Sequence, residues 1–330
     1  MNLLKPEPEQ APYHLRAMTM LSRAAEAGLG QPQRALLDAI QRVVLETDLD
    51  VETQEPIEPE TLARHLDDPE QARQLIRLMV AMSLVDGPPS SVQMSLLAKF
   101  SAALGVDEPS VNVISHLAKG RLLRFRIAFL RRSHIRNYLR NSYRMLGGIR
   151  PMLQAILIFR GIHKEDEQTM ARYRALEDLP KNTLGYQFFR HCSDAGLPLP
   201  GEKGGFPIGA LYHDFTHVLA GYDTTPEGEM KAAAFQAGFT RGDHDFFTAL
   251  FAIVIHTAGI NIAPIPMPVL RGRIGQGSLA MDVLSALKRG AEMRMDLGDR
   301  WNFWEYVELP IEVVRDRLGV PPLQYSTSGS

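Results

Sequence analysis

The stretch His213-Asp-Phe-Thr-His217-Val-Leu-Ala-Gly-Tyr-Asp-Thr-Thr-Pro226-Glu-Gly-Glu229-Met-Lys-Ala-Ala-Ala-Phe-Gln-Ala-Gly238 decides the fold. On an α-helix, residues four apart share one face, so His213 and His217 project together. Asp214 lies three residues before His217, on the edge of that face. After Gly221 the run Asp223-Thr-Thr-Pro226 stops one helix and starts another, with Thr224 or Thr225 as cap and Pro226 in the first turn. Glu229 then falls in the first turns of the second helix, where it can fold back on the histidines. Glu227 competes for that place, but it stands three residues after Thr224, the capping-box position, and is assigned the structural role. The expected constellation is a metal site of His213, Asp214, His217 and Glu229, since imidazole and carboxylate suit borderline divalent ions.

The same helical grammar extends outward. Apolar positions at helical spacing run through residues 15–47, with Leu36, Leu37, Ile40, Val43, Val44 and Leu45 in one stripe. Further helices are expected from Glu60, from Glu70 to Leu84, from Ser91 to Leu104, and at 166–176, 205–221, 227–239, 244–258, 277–295 and 302–318. Asp86-Gly-Pro-Pro-Ser is a turn, because glycine and two prolines cannot continue a helix. No segment alternates with period two. The expectation is an all-α, multi-helix bundle with a smaller N-terminal helical region, divided at 1–110, 111–165 and 166–325.

Composition narrows the class. Of 330 residues, 45% are hydrophobic and 22% charged, which is ordinary for a folded chain and argues against wholesale disorder. The single cysteine, Cys192, cannot form a disulfide within the monomer and suits a reducing, cytoplasmic setting. As a nucleophile it would need a base, and His191 is adjacent only in sequence. The first residues lack the basic start and apolar run of a signal peptide. The apolar stretch Phe246 to Ile262 is broken by Thr248, His256, Thr257 and Gly259, so it reads as a core helix.

The net charge of −2 conceals an asymmetry. Between Pro109 and His163 there is no acid, while Arg124, Arg131, Arg132, Arg136 and Arg140 interleave with Leu122, Leu123, Phe125, Ile127, Phe129, Leu130, Ile135 and Tyr138. Such a segment, helical to about Met145, can lay its apolar side against lipid while the arginines meet anionic head groups. A core helix with a solvated basic face is the plainer alternative. Nothing resembles a nucleic-acid-reading module, so no nucleic acid is expected.

Other candidates have plainer readings. His256 sits in an apolar run and reads as a core histidine; His244-Asp245 has no partner histidine at helical spacing; Asp243 and Asp245 read as helix-capping acids. Trp301 and Trp304 read as packing anchors or as the aromatic wall of a pocket. Asn182 reads as a cap, a turn residue or an outer partner of the metal site.

Two resemblances follow. Leu75-Ile-Arg-Leu-Met-Val-Ala-Met-Ser-Leu-Val-Asp-Gly87, a helix, and Ala103-Leu-Gly-Val-Asp-Glu108 resemble the TerB-like helical domain of tellurite-resistance proteins, without the acid after the Asp-Gly turn, since Gln93 and its neighbours are uncharged. More extensively, His213, Asp214, His217 and Glu229, with Gly221, the Thr-Thr-Pro turn, upstream Leu179-Pro-Lys-Asn-Thr-Leu-Gly185 and downstream Trp304-Glu, Arg315 and Leu318-Gly-Val-Pro-Pro322, resemble the coenzyme Q biosynthesis protein 4 family over about residues 175–322. Leu211-Tyr212 replaces the Arg-Glu that commonly precedes the histidine-aspartate pair, and Tyr186 replaces an arginine.

The resemblance implies an all-α protein peripheral to the inner face of a membrane, acting on a polyprenyl quinone precursor. The implied reaction is oxidative removal of a benzoate ring carboxyl at carbon one and its replacement by hydroxyl, by a metal-dependent decarboxylase or hydroxylase. Zinc is the first expectation for the metal, with iron, cobalt or manganese as alternatives. The implied partners are other quinone-biosynthesis enzymes or a second copy in a homo-oligomer. Two further readings stand beside it. One is a non-catalytic prenyl-lipid-binding scaffold; the other is a metal-dependent phosphohydrolase, for which His163, His191 and Asp243 would have to converge on the metal.

Overall fold

The computed structural model describes residues 3–26, 28–133, 165–242, 245–262, 269–299 and 301–323. Among them there are helices and no strand; two isolated bridges, Thr183 to Pro310 and Ala258 to Arg271, are the only extended pairings. The all-α expectation is met.

The first part of the chain folds as α1 (Ala11–Arg23), α2 (Gln31–Ile40), α3 (Pro59–Ala63), α4 (Pro69–Met82) and α5 (Ser91–Ala103). The helical spacing read over 15–47 is carried by two helices, parted near Gly28 and Gly30, where Gly28 has a φ of 66°. The chain continues as α6 (Pro109–Ala118) and α7 (Leu122–Leu130). The basic helix expected to reach Met145 is therefore interrupted at Gly120, whose φ of 65° ends α6. Arg136 and Arg140 lie outside the described residues.

The remaining helices are α8 (Glu167–Arg174), α9 (Leu184–Asp194), α10 (Tyr212–Ala220), α11 (Pro226–Phe239), α12 (Asp245–His256), α13 (Leu279–Ala291) and α14 (Ile311–Leu318). Helix α10 is shorter than expected because Pro207 and Gly209 hold the preceding residues in a single 3₁₀ turn. Helix α14 begins only after Pro310, not at residue 302.

One buried cluster runs through both parts of the chain, from Leu15, Leu37 and Met79 to Phe235, Val254 and Leu287. Helix α2 packs on α13, and α13 packs most extensively on α11. That last approach is backbone to backbone. A Cβ at Gly238 would fall on the Leu287 carbonyl, and one at Gly290 on the Phe235 carbonyl, so only glycine lets the two helices meet this closely. A polar tie reinforces the join: Arg77 of α4 donates to the buried Glu108 (2.9 Å) and to Asp245 at the start of α12 (3.3 Å). Asp245, the first residue of α12, also accepts from the Phe246 N–H.

Candidate metal centre

Helix α10 carries the site, and its position is held from both ends. At its C-terminus Gly221 takes a left-handed conformation (φ 76°) and donates to the His217 carbonyl. The carbonyls that the helix leaves without internal partners are taken by two guanidinium groups. Arg315 donates to Val218 (3.1 Å) and Leu219 (2.9 Å), and Arg289 donates to Ala220 (2.7 Å). These bonds satisfy orphan acceptors and set positive charge against the negative end of the helix dipole.

The second helix starts at Thr225, whose hydroxyl accepts from the Gly228 N–H (3.1 Å), with Pro226 next in line. The cap is thus Thr225, not Thr224, and Glu227 does not close a capping box. Glu227 instead pairs with Arg273, which holds its carboxyl below the usual range. Released from that competition, Glu229 points back at α10. Its Oε2 lies 3.2 Å from His213 Nε2, its Oε1 lies 3.5 Å from His217 Nε2, and the two Nε2 atoms are 3.4 Å apart.

These three spacings are what a small tetrahedral ion requires. With metal–nitrogen bonds of about 2.0–2.1 Å, the donors of a tetrahedral shell stand about 3.3 Å from one another. The other face of each imidazole is tied back in the manner of a metal ligand: His213 Nδ1 meets Gln236 Oε1 (3.2 Å), and His217 Nδ1 meets the Tyr222 carbonyl (3.2 Å). With Nδ1–H donating to those oxygens, each Nε2 presents its lone pair to the shared centre. Among the described residues, His213, His217 and Glu229 are therefore the side chains that could together hold a metal ion.

Electrostatics fit the same arrangement. Burial disfavours a charge on His213, but the hydrogen bond and charge of Glu229 outweigh it and raise the imidazole to about 9. Burial likewise opposes the Glu229 carboxylate, yet His213 and His217 hold it far below the usual carboxylate range. Without an ion, proton and carboxylate occupy the place where the metal would sit.

The structure does not bring Asp214 into this trio. Standing one residue after His213, it lies about 100° further round the helix axis. It is buried, and burial raises its carboxyl above the ordinary range. Asn182 is likewise not at the site. It is exposed in the turn before α9, where its carbonyl accepts from Ile311 N (2.8 Å). The outer partner that sequence reasoning missed is Gln236, two helical turns after Glu229 and on the same face of α11.

Sequence reasoning also missed α9 altogether. Thr183 caps it (3.4 Å to Tyr186 N–H), and Leu184, Phe188 and Cys192 form its buried stripe at four-residue spacing, a signal that was there to find. The Cys192 thiol is pushed up to about 12 by burial, which leaves it protonated and unsuited to a nucleophile's role. His191 lies beside the cluster, its ring stacked on His217 with centroids 5.4 Å apart. Burial and the neighbouring histidines lower it to about 4. His163, Asp243 and His244 fall outside the described residues. His256 is half-buried on α12 and is not one of the three converging donors.

Behind the histidines lies an aromatic cluster. Phe215 stacks on Phe188 (4.3 Å between centroids) and meets Trp301 edge-on (5.3 Å), while Trp304 packs on Tyr173 (5.1 Å) and under the Arg172 guanidinium (3.6 Å). Both tryptophans are thus packed against protein, as the packing-anchor reading expected.

Helix α7 exposes Leu122, Leu123 and Ile127 together with Arg124, and Arg131 and Arg132 follow in the next turn. Among the described residues no helix is long and apolar enough to cross a membrane.

No family model matches the chain, and no curated protein does. Among solved structures it is similar to one from Nostoc punctiforme whose name refers to ubiquinone biosynthesis, at 18% identity and a TM-score of 0.35, covering 64% of this chain and 95% of that one. A likeness that loose adds nothing to the geometry above.

Proposed function

We propose that the chain is a metal-dependent protein of quinone-type lipid biosynthesis. In this reading it acts on the aromatic head group of a polyprenylated benzoate: the carboxyl at ring carbon one leaves as carbon dioxide, water supplies the hydroxyl that replaces it, and dioxygen, as external oxidant, takes up the two electrons and two protons as hydrogen peroxide. The observation that carries the metal is the convergence of His213 Nε2, His217 Nε2 and Glu229 at 3.2–3.5 Å, with both Nδ1 atoms tied back. The resemblance of residues 175–322 supports the substrate class.

His213, His217 and Glu229 would hold the ion, zinc first, with iron, cobalt or manganese as alternatives. Such an ion supplies Lewis-acid stabilisation of negative charge on a carboxylate or phenolate oxygen. Gln236 and the Tyr222 carbonyl orient the imidazoles. Phe188, Phe215 and Trp301 form a wall of low polarity behind them, which strengthens every charge interaction at the site. Among the described residues three donors converge, one short of a tetrahedral shell, and an open position favours a working centre over a closed structural one.

The exposed leucines and arginines of α7 support docking on an anionic membrane surface, where a prenylated substrate resides. Elemental analysis of wild type and His217→Ala, with mass spectrometry of co-purified lipid, tests the reading. Stoichiometric metal in wild type alone, together with a prenylated aromatic lipid, is the expected result. Equal metal in the variant overturns the site, and absence of any prenyl lipid overturns the substrate class.

A further inference from the structure

We propose that His191 is a substrate-positioning residue that donates a hydrogen bond from Nε2 to the carboxylate of an aromatic acid seated at the open side of the three-donor cluster. The proposal rests on the metal-site reading above and adds to it a residue from a different helix.

Three observations place His191 there. First, α9 packs along α10, and Phe188 and His191, three residues apart on α9, share one face of it. Phe188 stacks on Phe215 at 4.3 Å and His191 stacks on His217 at 5.4 Å. Phe215 is itself fixed by Trp301 and by Phe303 (4.7 Å). The imidazole is therefore positioned by ring packing rather than by its own hydrogen bonds.

Second, His191 Nε2 is shielded from solvent and has no hydrogen-bond partner among the described residues. The neighbouring histidines differ: His213 and His217 each have Nδ1 tied to an oxygen and Nε2 turned to the centre. A buried ring nitrogen without a partner is costly, and such groups are retained where a ligand completes them.

Third, His191 is not one of the donors that converge within 4.8 Å of one another. It stands beside the ion's place without being needed to hold the ion. A neutral imidazole with its proton on Nε2, stacked on His217, would put an unused donor beside the three-donor centre. The group it suits is an anionic oxygen, and the carboxylate of a benzoate-type acid offers two, one for the centre and one for His191.

The test uses cobalt(II) as a visible probe of the full-length protein. Cobalt content is measured in wild type, His191→Phe, His191→Gln and His217→Ala, and 4-hydroxybenzoate is then titrated against the visible absorption band. His191→Phe keeps the ring contact with His217, and circular dichroism confirms that it folds.

The expected result is wild-type cobalt content in both His191 variants. Affinity for 4-hydroxybenzoate should fall by roughly ten-fold or more in His191→Phe and recover in part in His191→Gln, whose amide can donate. Wild-type affinity in His191→Phe overturns the proposal. So does loss of cobalt from that variant, which would make His191 a ligand or a structural residue, and so does a wild-type protein that holds cobalt but does not bind the acid. Undiminished cobalt in His217→Ala, or none in wild type, instead overturns the metal-site reading itself.

Discussion

His213 and His217 present their Nε2 atoms 3.4 Å apart, one helical turn from each other on α10, while their Nδ1 atoms meet Gln236 Oε1 and the Tyr222 carbonyl. Without an ion, the proton that His213 holds can bridge the two nitrogens of these perpendicular rings. Their spacing makes sense as two corners of a coordination shell whose third corner is Glu229.

The ligands and their supports should separate in a binding experiment. Loss of a corner in His217→Ala or Glu229→Gln should abolish metal retention through gel filtration. Gln236→Leu removes only the partner of His213 Nδ1, and should weaken affinity by about 10–100-fold while leaving stoichiometry intact. Competition with a chromogenic chelator reads both effects. Equal affinity in Gln236→Leu and wild type would remove Gln236 from the site's support.

Metal uptake should release a proton. His213 is raised to about 9 by Glu229, so at pH 7 the empty site carries a proton that an incoming ion must displace. Calorimetric titration in buffers of different ionisation heat should show about one proton released per ion at pH 7, declining as pH passes 9. The same shift fixes a sign for the metal-free protein. Because the folded value lies above the unfolded value of about 6.5, the pair's stabilisation is complete below pH 6.5 and is lost as pH rises through 9. Thermal unfolding of metal-free His213→Ala should lack that component.

Arg315 joins α14 to the site helix by charge-assisted bonds to Val218 and Leu219. Arg315→Met keeps much of the side-chain length but leaves two helix-terminal carbonyls without partners. It should cost about 2–4 kcal/mol in urea unfolding and loosen the metal as α10 frays. A change below about 0.5 kcal/mol would show that water replaces the guanidinium at no cost.

The α7 face gives a prediction of its own. Vesicles containing anionic lipid should sediment the protein at low salt and release it at high salt, as surface charges are screened over a Debye length. Leu123 is 71% exposed, and Leu123→Glu combined with Arg124→Glu should reduce binding at least several-fold. Undiminished sedimentation would move the docking surface elsewhere.

The fold class and the core of the site were legible because each rests on a local rule. A four-residue spacing places His213 and His217 on one face whatever surrounds them, and the Thr-Thr-Pro turn starts a second helix within reach. Those properties depend on backbone geometry alone. The assignment of Glu229 over Glu227 came from the same local grammar, although the working cap is Thr225 and the partner of Glu227 is Arg273, 46 residues away.

What the sequence could not settle was rotation about the helix axis and the identity of the neighbours. Asp214 is next to His213 in the chain, yet the packing of α10 against α9 and α11 turns it aside from the three donors. Gln236, Arg289, Arg315 and His191 reach the site from four segments whose order in the chain says nothing of their meeting. By itself, then, the sequence determined two histidines on one helical face, a glutamate on the next helix, and helices throughout. Only the tertiary structure decided which donors converge and which residues support them, because contacts between helices depend on side chains interlocking across distances that no local spacing encodes.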